Sequence, residues 1–455
     1  MSYRVTRRLF LKGTAAAAGL TVLGGASRAG AYAANQKLSC ANIGVGGQGE
    51  AHLGPAAASE NLVALCDADT SRLAGPARKY PAAKTFTDYR KMFDEMAKTI
   101  DVVFVATPDH HHFPASLMAL QRRKHVYCEK PLTHSIWEAR TLTLEARKAK
   151  VATQMGNQGQ AGEGVRRLCE FIWAGAIGKV TEVHIWTDRA AGWWPQGRNR
   201  PAYTDPVPPN LNWDLWLGPA PERPYVSVWR EAGYQKERKQ VYHPFVWRGW
   251  WDFGTGALGD IACHAMDPAF RALKLTSPVA VEAKCEGGTA EMFPLWSIIT
   301  YEYPARGDLP PVKLIWYDGK KKPAPPPELE EGRQWGDNGQ LFIGDKGKIL
   351  YGGDAGPRLI TEARMEEFQK NLPPKTLPRS PGHHEEFLLA CRGWGPPPGS
   401  NFDHAGPMTE AALTGNLAIR FGKRIEWDGP NMKARNCPEA DALIRRTYRP
   451  GWVTL

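Results

Sequence analysis

The stretch KLSCANIGVGGQG, residues 37–49, decides the fold. Lys37–Ile43 reads as a short buried strand that runs directly into Gly44-Val45-Gly46-Gly47-Gln48-Gly49, a G-x-G-x-x-G turn. A helical pattern follows to about residue 58, then a second strand, Asn61–Cys66, ending in Asp67. Each part has a mechanical reason. Gly44 permits the tight turn, Gly46 lets the backbone approach a pyrophosphate, and Gly49 allows close packing of helix on strand. The helix N-terminus then offers free N–H groups to phosphate oxygens, with Gly47 and Gln48 in the same loop. Asp67, 23 residues past Gly44, can accept hydrogen bonds from ribose hydroxyls. The glycine pattern alone is weak; the strand before it, the helix after it and the acid make it a dinucleotide site. A carboxylate at 67 repels a 2′-phosphate and so favours NAD(H), while Ser71-Arg72 would suit that phosphate and leaves NADP(H) open.

Outward from this turn the alternation continues. Asp101–Ala106 is strand-like and ends in Thr107-Pro108; a helix covers 113–122. His125–Cys128 is strand-like and ends in Glu129-Lys130-Pro131; a helix covers 135–149, and Val151–Gly156 leads to Asn157-Gln158. Strands alternating with helices imply a parallel, doubly wound sheet, whose ligands sit beyond the strand carboxyl ends. Thr107, Pro108, His112, Glu129, Lys130 and Gln158 are therefore expected at the cofactor, and Asn157 at the substrate. The run His110-His111-His112 could suggest a metal, but adjacent ligands rarely share one ion's geometry and no matching Cys/His set stands elsewhere, so no metal site is expected.

After a helix at about 161–174 the grammar changes. Strand patterns at about 179–188, 279–285, 294–303, 311–317, 339–344 and 347–352 lack regular crossover helices, which implies a largely antiparallel sheet, with helices returning at 382–392 and 407–421. The expected organisation is a leader at 1–33, a nucleotide-binding domain at 36–157 and an α/β substrate and oligomerisation domain at 158–455.

Composition narrows the function. The chain has 455 residues, 42% apolar and 23% charged, enough for two to three folded domains. Of the net charge of +11, five units (Arg4, Arg7, Arg8, Lys12, Arg28) lie in residues 1–33 with no acid, which leaves +6. No basic block with interleaved aromatics follows, so nucleic-acid binding is not expected. The eight cysteines stand singly, without a CxxC pair, and read as free thiols. Thr6-Arg7-Arg8-Leu9-Phe10-Leu11-Lys12, an Ala/Gly/Leu run and Ala31-Tyr32-Ala33 make a twin-arginine leader with an A-x-A cleavage site. The expectation is export to the periplasm with no membrane span after processing.

Nine of the 17 tryptophans lie in residues 186–251, a long irregular Pro/Gly/Asn-rich segment. Long ordered loops are often lids or binding loops. Flat indoles suit the C–H faces of sugar rings, although they can equally staple a loop to its domain. Trp247, Trp250 and Trp251 are the candidates for stacking on substrate, with Arg189 as a further substrate contact. Just beyond, Gly254–Gly259 turns into Asp260-Ile261-Ala262-Cys263-His264. Four residues apart on a helix, Asp260 and His264 share a face, with Asp260 expected in the first turn. Such a pair is commonly structural and could be half of a metal site. Beside a nucleotide domain, with Lys130 at a strand end, it reads as catalytic: His264 takes a hydroxyl proton, Lys130 stabilises the alkoxide, and Asp260 orients substrate or the imidazole.

GVGGQG at 44–49, Ala106-Thr107-Pro108, Glu129-Lys130-Pro131, and Gly259-Asp260 with His264 together resemble the Gfo/Idh/MocA oxidoreductases, which include glucose–fructose oxidoreductase and inositol dehydrogenases. The resemblance covers essentially the whole chain after the leader. It implies a Rossmann domain followed by an α/β domain with an open, mostly antiparallel sheet that often forms the oligomer interface, hence a homo-oligomer, dimer or tetramer. It also implies catalytic roles for Lys130, Asp260 and His264 and a cis Lys130–Pro131 bond. The expected function is a nicotinamide-dependent oxidoreductase of a carbohydrate: a sugar, polyol or glycoside, with tightly bound cofactor. The alternative is an NAD-dependent, redox-cycling glycoside hydrolase, as the same family contains. A non-catalytic sugar-binding protein would not need the lysine, aspartate and histidine.

Overall fold

The computed structural model describes residues 37–231, 239–333 and 335–455. The leader at 1–33 lies outside the described residues. The first sheet has six parallel strands: β1 (Ser39–Ile43), β2 (Asn61–Cys66), β3 (Lys84–Phe86), β4 (Val102–Val105), β5 (His125–Cys128) and β6 (Thr153–Met155), in the order β3-β2-β1-β4-β5-β6. Its crossovers carry α1 (Gln48–Ser59), α2 (Thr70–Lys79), α3 (Tyr89–Met96), α4 (Asp109–Gln121) and α5 (Ile136–Ala149). β4 is apolar at every position and wholly buried, as a strand covered on both faces must be. The strand order reverses beside β1, and a crevice opens there at the carboxyl ends of β1 and β4.

The sequence reading leaves residues 67–100 unassigned, and the structure fills them with α2, β3 and α3. Both helices start on an aspartate N-cap: Asp69 accepts from the Ser71 N–H at 3.0 Å, and Asp88 from the Arg90 N–H at 2.9 Å. α4 begins at Asp109, four residues earlier than expected, so His110–His112 occupy its buried first turn.

α6 (Glu163–Trp173) leads into the second sheet at β7 (Val180–Trp186). The tryptophan-rich segment follows with one short helix, α7 (Trp213–Leu217), then α8 (Gly256–Ala265) and α9 (Asp267–Leu273). The remaining strands are β8 (Ala280–Glu286), β9 (Trp296–Tyr303), β10 (Val312–Tyr317), β11 (Gly339–Gly344), β12 (Gly347–Tyr351), β13 (Pro357–Ile360), β14 (Ile425–Asp428) and β15 (Lys433–Ala434). They run in the order β13-β12-β11-β7-β10-β9-β8-β14-β15, antiparallel except for the β7–β10 pair. The α/β class and the mostly antiparallel second sheet are as expected. In β9, Ser297, Ile299, Tyr301 and Tyr303 are buried and alternate with half-exposed residues, the signature of a sheet with one face on a core.

The last helices, α10 (Glu362–Gln369), α11 (His383–Cys391), α12 (Phe402–Phe421) and α13 (Asp441–Ile444), carry the chain back to its first half. Phe387, Leu388 and Cys391 of α11 pack on Leu38, Cys40, Phe104 and Tyr127 of the parallel sheet. α12 lies against α5, α8 and β8, and one continuous core runs through both sheets. α8 is thereby held between the two halves. All eight cysteines are free, seven of them buried. No helix of the described residues is long and apolar enough to cross a membrane.

Candidate active site

The glycine turn forms the floor of the crevice. Gly44 has φ +82°, and its N–H donates to Cys66 O at 2.8 Å. A Cβ there would lie 2.5 Å from Ala106 O, and one on Gly49 would lie 2.0 Å from Gly44 O. Neither position has room for a side chain. The N-cap of α1, Gly47, has no side-chain cap, so the first turn of the helix faces the crevice without a competing oxygen. Asp67 stands at the lip, where its carboxylate accepts from the Val45 N–H at 3.1 Å and the Asp69 N–H at 3.0 Å. Burial pushes its pKa up. The Arg72 guanidinium lies over Gly46, while Ser71 is turned away with its hydroxyl donating to Asp69 Oδ1 at 2.6 Å. The cleft encloses about 420 Å³, and Gly44, Gly46, Gly47, Gln48, Asp67, Thr107, Pro108, Glu129 and Lys130 all line it. A glycine floor without side chains, an uncapped helix end and an acid at the end of β2 fit a dinucleotide.

At the far end of the cleft β5 delivers Lys130, and its bond to Pro131 is cis, as the resemblance implies. α8 carries Asp260 and His264 one turn apart. The helix begins at Gly256, so Asp260 sits in its second turn rather than its first. Lys130 Nζ donates to Asp260 Oδ1 and to Asp260 O, both at 2.8 Å. Arg248 Nε donates to the same Oδ1 at 2.9 Å. Burial opposes ionisation of Asp260, but the Lys130 and Arg248 charges outweigh it and hold the carboxyl well below the usual range. Two of the three ammonium protons of Lys130 are thus committed, leaving one for a ligand. His264 is half-buried and makes no hydrogen bond among the described residues. Burial, then the Lys130 charge, bring its pKa down to about 4. At neutral pH it is an uncharged imidazole with a free lone pair.

Other expected contacts stand behind the cleft or away from it. Gln158 Nε2 donates to Tyr127 OH and to Glu129 Oε1, both at 3.1 Å, and so positions Glu129. Asn157 is buried and donates to Cys263 O at 3.3 Å, bracing α8. His112 places Nδ1 2.7 Å from Pro131 O and Nε2 2.9 Å from Thr107 O, tying together two loops that line the cleft without lining it itself. Arg189 stacks on Trp193 at 3.2 Å and faces Asp188 at 3.6 Å.

The three tryptophans diverge. Trp247 lines the cleft with the Arg248 guanidinium 4.3 Å from its ring. Trp250 is 0% exposed; its Nε1 donates to Val241 O at 2.7 Å, and its ring packs on Tyr242 and Trp229. Trp251 sits on Phe293, and its Nε1 donates to Thr289 O at 3.3 Å in a separate cavity. The expectation that Trp250 and Trp251 face substrate is corrected: adjacent side chains leaving a short turn point to different sides, and these two staple the segment down.

The sequence reading missed Arg248, a lone arginine among tryptophans with no motif to mark it. It also missed a clasp over the nucleotide end. Asn212 N–H donates to Ala68 O at 2.9 Å, and Thr70 N–H to Asn210 O at 2.8 Å. Asn210 Nδ2 donates to Asp69 Oδ1 at 2.7 Å. Trp216 Nε1 donates to His243 Nδ1 at 3.1 Å, which leaves His243 Nε2 to donate to Asp69 Oδ2 at 3.0 Å. Burial opposes the Asp69 charge, but the hydrogen bonds from His243, Ser71 and Asn210 outweigh it and hold the carboxyl well below its ordinary range. Trp216, His243 and, from the C-terminal tail, Trp452 complete the cleft wall.

Comparison with known proteins agrees with this geometry. Residues 38–157 match the Gfo/Idh/MocA model for an oxidoreductase family with an NAD-binding Rossmann fold, and residues 162–324 match that family's C-terminal alpha/beta domain. Inositol 2-dehydrogenase of Salmonella typhimurium is 29% identical over 152 residues, 32% of this chain and 45% of that protein. D-glucoside 3-dehydrogenase of Escherichia coli is 33% identical over 129 residues, 28% of this chain and 35% of that protein. The chain thus spans less than half the length of these curated relatives. The WlbA dehydrogenase of Bordetella pertussis, solved with NADH and UDP-GlcNAcA, shares the fold at a TM-score of 0.57 and 17% identity, over 86% of this chain and 99% of that one. Matched in both halves, the chain belongs to the Gfo/Idh/MocA oxidoreductase family, and its first domain is an NAD-binding Rossmann fold.

Proposed function

We propose that this chain is an exported, NAD-dependent oxidoreductase that removes hydride from a carbinol carbon of a sugar, polyol or glycoside and keeps its cofactor throughout. The carrying observation is the convergence of Lys130, Asp260 and Arg248 beside the neutral His264. The lone pair of His264 takes the hydroxyl proton. The remaining ammonium proton of Lys130 bonds the same oxygen and stabilises the negative charge that develops on it. Asp260, clamped by Arg248, holds Lys130 in place. Trp247 supplies an apolar wall for a ring face. The loop 44–48, Asp67 and Thr107-Pro108 would hold the dinucleotide, which would supply the hydride acceptor.

Export rests on Thr6–Lys12 and Ala31–Ala33. Free nicotinamide nucleotides are scarce outside the cytoplasm, so a cofactor loaded before export and regenerated in place fits that location. The clasp at Asp69 gives a physical means of retention. A retained cofactor also favours a second reading, a redox-cycling glycoside hydrolase. Oxidation acidifies the neighbouring C–H, elimination breaks the glycosidic bond, water adds and the hydride returns.

The test is to gel-filter the mature protein, supply a panel of sugars, polyols and glycosides without NAD, and identify products by mass spectrometry. Turnover only with an added carbonyl acceptor supports the oxidoreductase. Release of aglycone with no acceptor supports the hydrolase. Strict mole-for-mole consumption of added NAD defeats the bound cofactor.

A further inference from the structure

A file of titratable side chains leads from the catalytic turn to the surface through apolar packing. Glu129 is 5% exposed and lines the cleft beside Lys130. His52, on α1, is 0% exposed, with Nε2 3.1 Å from Glu129 Oε1 and Nδ1 2.9 Å from His384 Nε2. His384, at the start of α11, is half-exposed. Phe104 stacks on His52 at 5.6 Å, and Tyr127 lies flat on His384 at 5.2 Å and 6°. The rings insulate the file on its flanks. A fully buried imidazole between two polar groups is a costly way to fill a core that a leucine would fill more cheaply.

We infer that Glu129, His52 and His384 are a proton relay between the catalytic turn and solvent. The inference rests on the oxidoreductase reading, in which each alcohol oxidised sheds one proton at the inner end of the cleft. That proton leaves the hydroxyl for His264 as the C–H electron pair departs as hydride to the nicotinamide. Glu129 lines the cleft into which this proton is shed, next to Lys130. In the outward order both rings start with the proton on Nδ1, and His52 Nε2, 3.1 Å from Glu129 Oε1 and without a hydrogen-bond partner among the described residues, is free to accept; a proton reaching Glu129 passes to that Nε2 while His52 Nδ1 releases one to His384 Nε2 and His384 Nδ1 releases one to water. Each ring ends as its other tautomer and no net charge stays behind; the reverse order brings a proton in when hydride returns.

The surroundings suit passage rather than storage. Burial opposes the Glu129 charge, but His52, Lys130 and His264 around it outweigh that and hold its pKa at about 2. Burial, then His52 and His383, bring His384 down to about 4. His383 is committed elsewhere, with Nε2 3.0 Å from Met155 O, and Glu386 accepts from Gln154 Nε2 at 3.1 Å and Ser380 Oγ at 2.7 Å. Lys130 lines the cleft beside Glu129, its backbone N–H donating to Glu129 Oε2 at 3.3 Å, and Gln158 Nε2 donates to Glu129 Oε1 at 3.1 Å.

The test uses the cofactor-loaded enzyme and two variants. His384→Gln keeps an acceptor for His52 Nδ1–H but cannot relay, and His384→Ala opens the end to a small base. In weak buffer both should lower kcat and slow proton release, read with a pH indicator, by at least about tenfold, the lower end of what a proton-transferring group contributes. KM, cofactor retention and Tm should hold, and imidazole should restore His384→Ala. Unchanged kcat and buffer response in both variants overturn the relay and leave the oxidoreductase reading intact. If no substrate reduces the bound nicotinamide, that reading fails, and the relay is judged by 15N-histidine NMR. Solvent exchange of the His52 ring proton markedly faster in the native chain than in His384→Gln supports it; equal rates overturn it.

Discussion

In the proposed mechanism His264 is the base, and its environment sets the pH range in which it would work. An ordinary histidine is half-protonated near pH 6.5. Burial and Lys130 bring this one down to about 4. The base is competent when deprotonated, so kcat/KM for oxidation should stay level from pH 8 to about 5 and fall by about tenfold per unit below pH 4. An inflection near 6.5 in the pH–rate profile would show that His264 is not the base. His264→Ala and Lys130→Ala should each lower turnover by at least about 10²-fold. Cofactor content, read by absorbance after gel filtration, should be unchanged because the glycine turn is untouched. Near-native turnover in either variant removes that residue from the mechanism.

Among the elements, the glycine turn and the 247–251 turn make opposite demands. A methyl on Gly49 would meet Gly44 O at 2.0 Å, so α1 must move off β1 to admit it. Gly49→Ala should therefore purify without nicotinamide, and a native cofactor load in that variant would refute the close-packing account. In the other turn, only Trp247 lines the cleft. Trp247→Ala should raise KM for a sugar, whereas Trp251→Ala should leave KM unchanged. Trp250→Ala empties a core position and should cost about 3–5 kcal/mol in chemical denaturation, the range for large aromatic truncations. A KM rise at Trp251 with none at Trp247 would reverse the assignment.

Across the whole molecule, the second domain reaches over the first and joins it at Asp69. Asn210 and His243 supply the side chains of that clasp. Asn210→Ala combined with His243→Ala should release the cofactor on gel filtration while the native chain retains it. Added NAD should then restore turnover, because Lys130, Asp260 and His264 are unaffected. Retention by the double variant would mean that the clasp is not what holds the cofactor. The same long segment explains the tryptophan count: its rings make a second core of their own, with Trp216, Trp229, Trp247 and Trp250 packed around Tyr242 and Phe253. A segment without periodic structure cannot bury its backbone in a ladder and is anchored instead by large side chains.

The sequence by itself determined what depends on near neighbours. A turn that admits only glycine between a buried strand and a helix needs no distant partner to be legible, and neither does an alternation of strands and helices. The spacing of Asp260 and His264 settles that they share a helical face, although not that the helix starts at Gly256. Asp69 and Asp88, caps that open α2 and α3, were equally local and went unread because their helices are short and the apolar pattern between them is faint. Tertiary structure alone decided the rest. Lys130 meets Asp260 across 130 residues of chain, and Arg248 joins them from a single 3-10 turn, Val246–Gly249, in a long, mostly irregular segment. Which of three neighbouring tryptophans faces the cleft depends on what each finds to pack against. The file from Glu129 through His52 to His384 draws on three elements whose order along the chain says nothing of their contact. Such meetings are governed by how two sheets and the helices between them close on one core, and no local rule of spacing encodes that closure.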